Sequence, residues 1–112
     1  MELSQSLRLS LLVDLYGPLL TKKQLDVLRD YLDNNLSISE MAMVSGSSRQ
    51  AVNDILKRSI SLLEGYESKL HLLDKLGNIR SLVEEINSKL DDSSKVDIKS
   101  IRNSLKKIME NL

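Results

Sequence analysis

The chain has 112 residues, with 16 Lys and Arg balancing 16 Asp and Glu, one His and no Cys, Trp or Phe. A chain of this length buries roughly two-thirds of its unfolded surface, so its core needs no metal or disulfide. The charge balance excludes a protein that simply coats nucleic acid or an anionic membrane. The missing cysteines exclude a disulfide scaffold and thiol chemistry, and fit a cytoplasmic protein.

No apolar run reaches the length of a bilayer span, so no membrane insertion is expected. Met1-Glu2-Leu3-Ser4 has neither the basic nor the apolar region of a signal peptide. The apolar residues are mostly Leu and Ile, alternation is nowhere sustained, and Gly and Pro are rare. That combination predicts an all-α fold.

The first helix is expected from about Ser4 to Tyr16, with Leu7, Leu11, Leu12 and Leu15 on one face and Leu9 and Val13 widening it. Gly17-Pro18 stops it. Thr21-Lys22-Lys23-Gln24 reads as a capping box opening a helix that ends near Asn34-Asn35. Ser37-Ile38-Ser39-Glu40 is a second capping box, and its short helix ends at Gly46. Ser47 or Ser48 caps the next helix, whose apolar face holds Val52, Ile55, Leu56, Leu62 or Leu63, Tyr66, Leu70 and Leu73.

Unbroken to Gly77-Asn78, that helix would be about 43 Å long. A domain of this size is only about 34 Å across, twice a gyration radius corrected for a solid body. Either Gly65 breaks the helix or a partner covers the overhang. A further helix carries Ile79, Leu82, Val83, Ile86 and Leu90. Asp91 to Lys95 reads as a polar linker. The last helix carries Ile98, Ile101, Leu105, Ile108 and Leu112, a narrow three-four seam that wants a neighbouring helix. The expected division is a helix-turn-helix domain over 1–62 and a helical, dimerising extension over 63–112, packed as one unit with the first.

Ala42, Gly46 and the capped helix after it have helix-turn-helix spacing. A small residue lets the helices approach, and Gly46 supplies the positive φ of the turn. Ser48, Arg49, Gln50 and Asn53 then stand where a reading helix meets bases. Arg, Gln and Asn can pair with purine edges in a major groove. Lys57, Arg58, Lys22 and Lys23 are the candidate phosphate contacts.

Four strings of residues carry a resemblance. They are Tyr16-Gly17 with Leu19 to Gln24, Ser39 to Ala42, Ser48 to Val52, and Leu63 to Leu70. In that order the chain resembles the YlxM family over residues 10 to about 72. The resemblance implies a small bacterial cytosolic protein whose N-terminal half is similar to the DNA-binding region 4 of sigma factors. It further implies a DNA-binding or regulatory role tied to the signal recognition particle pathway, with that particle's protein or RNA as partner. The turn departs from the family pattern: Ser45-Gly46-Ser47-Ser48 puts polar residues at packing positions, and Met43 and Val44 are apolar on the outer face.

Over residues 1–66, Arg8, Lys22, Lys23, Arg29, Arg49, Lys57 and Arg58 face one more acid than their own number. DNA affinity leans on phosphate neutralisation, so any DNA binding is expected to be weak. His71, with no Cys and no second His, is a poor metal ligand. Neighbouring acids such as Glu84-Glu85 do not face each other on a helix. No catalytic set and no phosphate loop is present, so no enzyme, cofactor or metal is expected. Lys99, Arg102, Lys106 and Lys107 make the last helix basic on its outer face, fit for RNA or an acidic partner. Two functions remain open: a helix-turn-helix DNA-binding regulator, and a non-enzymatic adaptor that binds a protein or RNA. A homodimer through the C-terminal half is expected with either.

Overall fold

The computed structural model describes residues 3–91 and 97–112. It contains six α-helices: α1 (Leu3–Tyr16), α2 (Lys22–Leu32), α3 (Ile38–Ser45), α4 (Arg49–Leu70), α5 (Leu72–Asp91) and α6 (Ile98–Asn111). A 3-10 turn, Gly17–Leu19, links α1 to α2 with Pro18 in its first positions. Among the described residues there is no strand, and no helix is long and apolar enough to cross a membrane. The linker expected at 91–95 lies, beyond Asp91, outside the described residues.

Both predicted capping boxes form. Thr21 Oγ1 accepts from the Gln24 N–H at 3.2 Å, and Gln24 Oε1 accepts from the Thr21 N–H at 3.0 Å. Ser37 Oγ accepts from the Glu40 N–H at 3.1 Å, and Glu40 Oε1 accepts from the Ser37 N–H at 3.3 Å. Each box satisfies two amides that a helix start otherwise leaves open. Asn35 takes a left-handed conformation (φ 53°) after α2, as its short polar side chain allows.

The chain divides into two compact units, Met1–Leu70 and His71–Leu112. α4 runs through Leu62 and Leu63 without interruption, and the two compact units part at 70/71. Gly65 does not break it, and Gly77 lies inside α5 instead of ending a helix. A glycine within a helix costs only about 1 kcal/mol, too little to end one that is otherwise well formed. The break falls at His71, whose φ of 56° ends the α-helical run. The helix expected to reach Leu76 is therefore 22 residues long. At 1.5 Å per residue that is about 33 Å, about 10 Å shorter than expected.

In the first unit, α1, α2 and α3 all pack against α4. The core holds Leu9, Leu12, Tyr16, Leu28, Met41, Ala42, Val52, Leu56 and Leu63. The buried stripe of α1 is thus Leu9-Leu12-Tyr16, while Leu7 and Leu11 stay exposed. Tyr16 sets this rotation. Its hydroxyl donates to Glu67 Oε1 at 2.6 Å, and its ring lies 6.0 Å from that of Tyr66. Leu63 is the buried member of the Leu62-Leu63 pair.

In the second unit, α5 and α6 pack against each other as an antiparallel hairpin. Lys89 donates to Ser100, and Asn78 and Leu82 share a groove with Lys107 and Asn111. Of the expected α6 seam, Ile101 and Ile108 are half-buried while Ile98, Leu105 and Leu112 stay exposed, and only Ser104 of the pair is fully buried.

Candidate nucleic-acid interface

The site begins with the turn. Gly46 closes α3 in the left-handed region at φ 71°, a conformation that costs a side-chain-bearing residue roughly 1–2 kcal/mol. Ser48 is the cap of α4: its Oγ accepts from the Ala51 N–H at 3.1 Å. Met41, Ala42 and Val52 are buried together, with Val27, Tyr31, Leu36 and Ile38 packed around them. This small cluster holds α3 against the start of α4 and fixes which face of α4 is free.

Successive helical residues turn by roughly 100°. Val52, Leu56, Ser59 and Leu63 therefore define the inward line of α4, all four being buried. Arg49, Gln50, Asn53 and Lys57 fall together on one arc of about 100° along one side of the free face. Arg49, Gln50 and Lys57 are exposed and Asn53 is half-buried. The arc covers the first three turns, the part of a recognition helix that meets base edges. Arg58 lies beyond Asp54, on the opposite side of the free face.

Lys22 and Lys23 line a groove of about 430 Å³ with Asp26, Val27, Asp30, Ser45, Ser47, Val52 and Ile55. Ile55 and Val52 mark the Arg58 side of α4. The two lysines thus stand across α4 from Asn53 and Lys57. Lys22 is also paired with Asp26 at 3.3 Å. The proposed residues form two groups, a reading arc with Lys57 and a separate basic border of Lys22, Lys23 and Arg58. Asp26, Asp30 and Asp54 interrupt the basic charge, so no continuous stripe runs across the face.

Met43 and Val44 are 84% and 80% exposed at the end of α3, as their outer-face positions imply. The Ser45 hydroxyl is spent locally. Ser45 Oγ donates to the Ala42 carbonyl at 3.5 Å and accepts from the Ser47 N–H at 3.4 Å.

Two polar contacts that brace α4 against α1 were not among the candidate residues. Arg8 donates twice to Glu64, at 3.0 and 2.8 Å. The Arg8 hydrogen bond holds the Glu64 carboxyl below the usual carboxylate range, against a partial desolvation that pushes it up. Glu67 is only 4% exposed. The signal for it is in the spacing: it stands one turn beyond Leu63 on the inward line, where a carboxylate needs a buried donor, and Tyr16 supplies one.

Comparison with known proteins agrees with the helix-turn-helix. Residues 3–107 match a family model, UPF0122, described as "Putative helix-turn-helix protein, YlxM / p13 like". A UPF0122 protein of Clostridium kluyveri is 40% identical over 105 residues, covering 90% of this chain and 95% of that protein. One from Clostridium botulinum is 43% identical over 91 residues, covering 78% and 84%. One from Fusobacterium nucleatum is 37% identical over 114 residues, covering 100% and 99%.

Proposed function

This chain belongs to the UPF0122 family of YlxM/p13-like helix-turn-helix proteins, and from that premise we propose that it is a non-enzymatic regulator that contacts duplex DNA weakly through α4. The observation that carries this is the arc of Arg49, Gln50, Asn53 and Lys57 on the opening turns of a capped helix. The basic residues on either side add to it. A helix lying in a major groove is bordered by a phosphate wall on each side. Lys57 faces one wall, and Lys22, Lys23 and Arg58 face the other. Acidic neighbours limit the attraction, so affinity is low and depends on salt.

Four phosphate contacts give a slope of log affinity against log salt of about −3.6. The test is a titration of a labelled duplex at several salt concentrations, with the parent and with Arg49, Gln50 and Asn53 all changed to Ala. Each good paired base contact contributes about 1–3 kcal/mol, so the triple variant binds a preferred site much more weakly. Identical binding by parent and variant would remove the reading role from α4.

A second reading has its own observation. Exposed Met43 and Val44 give the end of α3 an apolar contact suited to a protein surface. On that reading the chain is a cytoplasmic adaptor for a protein or RNA of the signal recognition particle pathway, as the YlxM resemblance implies. Changing Met43 and Val44 to Ser separates the two: DNA titration is unaffected, while capture of the particle's components is lost.

A further inference from the structure

The α5–α6 hairpin cannot close a core by itself. Its two helices touch along one line, yet each carries a second apolar stripe. On α5 this stripe is Leu76, Val83 and Leu90, exposed by 49%, 50% and 53%. On α6 it is Ile98, Leu105 and Leu112, exposed by 69%, 50% and 86%.

At roughly 100° per residue, each stripe sits about 90° from the line of mutual contact. Both rotate in the same sense from that line when each helix is followed from its N-terminus. Because the helices are antiparallel, equal senses put both stripes on one side of the hairpin. The result is a single apolar face, on the order of the ~800 Å² per partner that a stable interface buries. A helix with apolar stripes about 90° apart has the pattern of a four-helix bundle, where every helix has two neighbours.

We propose that this face pairs with the same face of a second copy of the chain, forming a four-helix bundle whose two-fold axis runs along the helices. The charges at the edges of the face select this partner and this axis. The outer edge of α5 carries Arg80, Glu84 and Asp91, and that of α6 carries Lys99, Arg102, Lys106 and Glu110.

An axis along the helices lays α5 over the partner's α6 at the same level. In the hairpin, 78 lies level with 111, 82 with 107 and 89 with 100. Carried across the axis, Asp91 meets the partner's Lys99, and Glu84 falls between the partner's Arg102 and the partner's Lys106. Arg80 meets the partner's Glu110. The apolar layers coincide as well: Leu90 with the partner's Ile98, Val83 with the partner's Leu105, and Leu76 with the partner's Leu112. An axis across the helices would instead set the basic edge of α6 against its own copy, which repulsion disfavours. Isologous pairing doubles each of these contacts.

The pairing is independent of DNA, and it is tested on the full chain by sedimentation equilibrium at micromolar concentration. The expected mass is twice that of one chain, falling to one chain with Val83→Glu while far-ultraviolet circular dichroism stays unchanged. The register is read by cysteine cross-linking, which the chain's lack of cysteine makes clean. Glu84→Cys and Arg102→Cys, each made alone and then mixed, give a disulfide-linked dimer in the mixture and little in either alone. A monomeric parent overturns the proposal, including the case where the first unit of the same chain covers the face. A dimer that survives Val83→Glu, or cross-links that form within a single variant and not in the mixture, overturns the interface or its axis.

Discussion

Three glycines in helical surroundings respond to the same substitution in opposite directions, and the sign depends on backbone geometry alone. A Cβ added at Gly46, Gly65 or Gly77 meets nothing within 4 Å, so crowding plays no part. At Gly46 the φ of 71° opposes any L side chain. Ala there costs roughly 1–2 kcal/mol of backbone strain. A stiffer unfolded chain returns about 0.4–1 kcal/mol, leaving a net loss near 1 kcal/mol. At Gly65 the backbone is α-helical, and Ala gains about 0.8–1.0 kcal/mol. The two variants therefore differ by about 2 kcal/mol within one compact unit. For a domain of this size each kcal/mol moves the midpoint by about 4–8 °C, so the melting temperatures separate by about 8–16 °C. Thermal and urea unfolding, followed by far-ultraviolet circular dichroism, measure this directly. Gly46→Asn should lie between Gly46→Ala and the parent, since Asn tolerates the left-handed region. If Gly65→Ala destabilises the chain, the continuous α4 is wrong. If Gly46→Ala is neutral, the turn is not held as described.

Tyr16→Phe removes a hydroxyl donor to buried Glu67 and should cost about 1–3 kcal/mol in guanidinium unfolding. A change below about 0.5 kcal/mol would show that this contact does not tie α1 to α4. Acidification tests the Arg8–Glu64 pair. Because the folded carboxyl titrates below its ordinary value, its stabilisation is present above the unfolded pKa of about 4.3 and is lost as pH falls through the lower folded value. Both side chains are 45% exposed, which keeps the effect within about 1 kcal/mol. Arg8→Gln should flatten this part of the acid limb, and an unaltered pH profile would refute the pairing.

The elements most legible in the sequence are those set by local chemistry. The two capping boxes, the stop at Gly17-Pro18 and the left-handed Gly46 each depend on residues within one turn of one another, so their spacing is sufficient. The all-α class and the helix-turn-helix follow from them. The course of the chain from Leu63 to Asn78 was not legible. Glycine is the conspicuous breaker there, yet Gly65 and Gly77 lie inside helices and the break sits at His71. Glycine's helical cost is small beside tertiary packing, whereas a histidine in the left-handed region leaves little mark on composition. The rotation of α1 was missed for a related reason. Leu7 and Leu11 satisfy helical periodicity as well as Leu9 and Leu12 do, and the choice between them comes from long-range contacts with α4, Tyr16 with Glu67 and Arg8 with Glu64. Ser48, Arg49, Gln50, Asn53, Lys57, Arg58, Lys22 and Lys23 were all nameable from sequence. Their separation into a reading arc and a basic border required knowing that Ile55 and Val52 face the groove beside Lys22 and Lys23.

Near-neutral charge around the reading arc has a consequence for how such a chain acts. With four candidate phosphate contacts, Lys22, Lys23, Lys57 and Arg58, offset by Asp26, Asp30 and Asp54, one copy would have little electrostatic hold on a duplex. Two copies joined through their α5–α6 hairpins would present two arcs at once, and the second contact then forms at a high effective concentration without any new residue touching DNA. On the proposed function, weak single contacts would make binding depend on assembly, and the proposed pairing of hairpin faces would provide it. A monomeric Val83→Glu variant should therefore lose duplex binding by a factor far larger than its own distance from the arc explains. The titration used for the Arg49, Gln50 and Asn53 variant measures it. Equal affinity in the parent and Val83→Glu would show that assembly and DNA contact are separate properties of the chain.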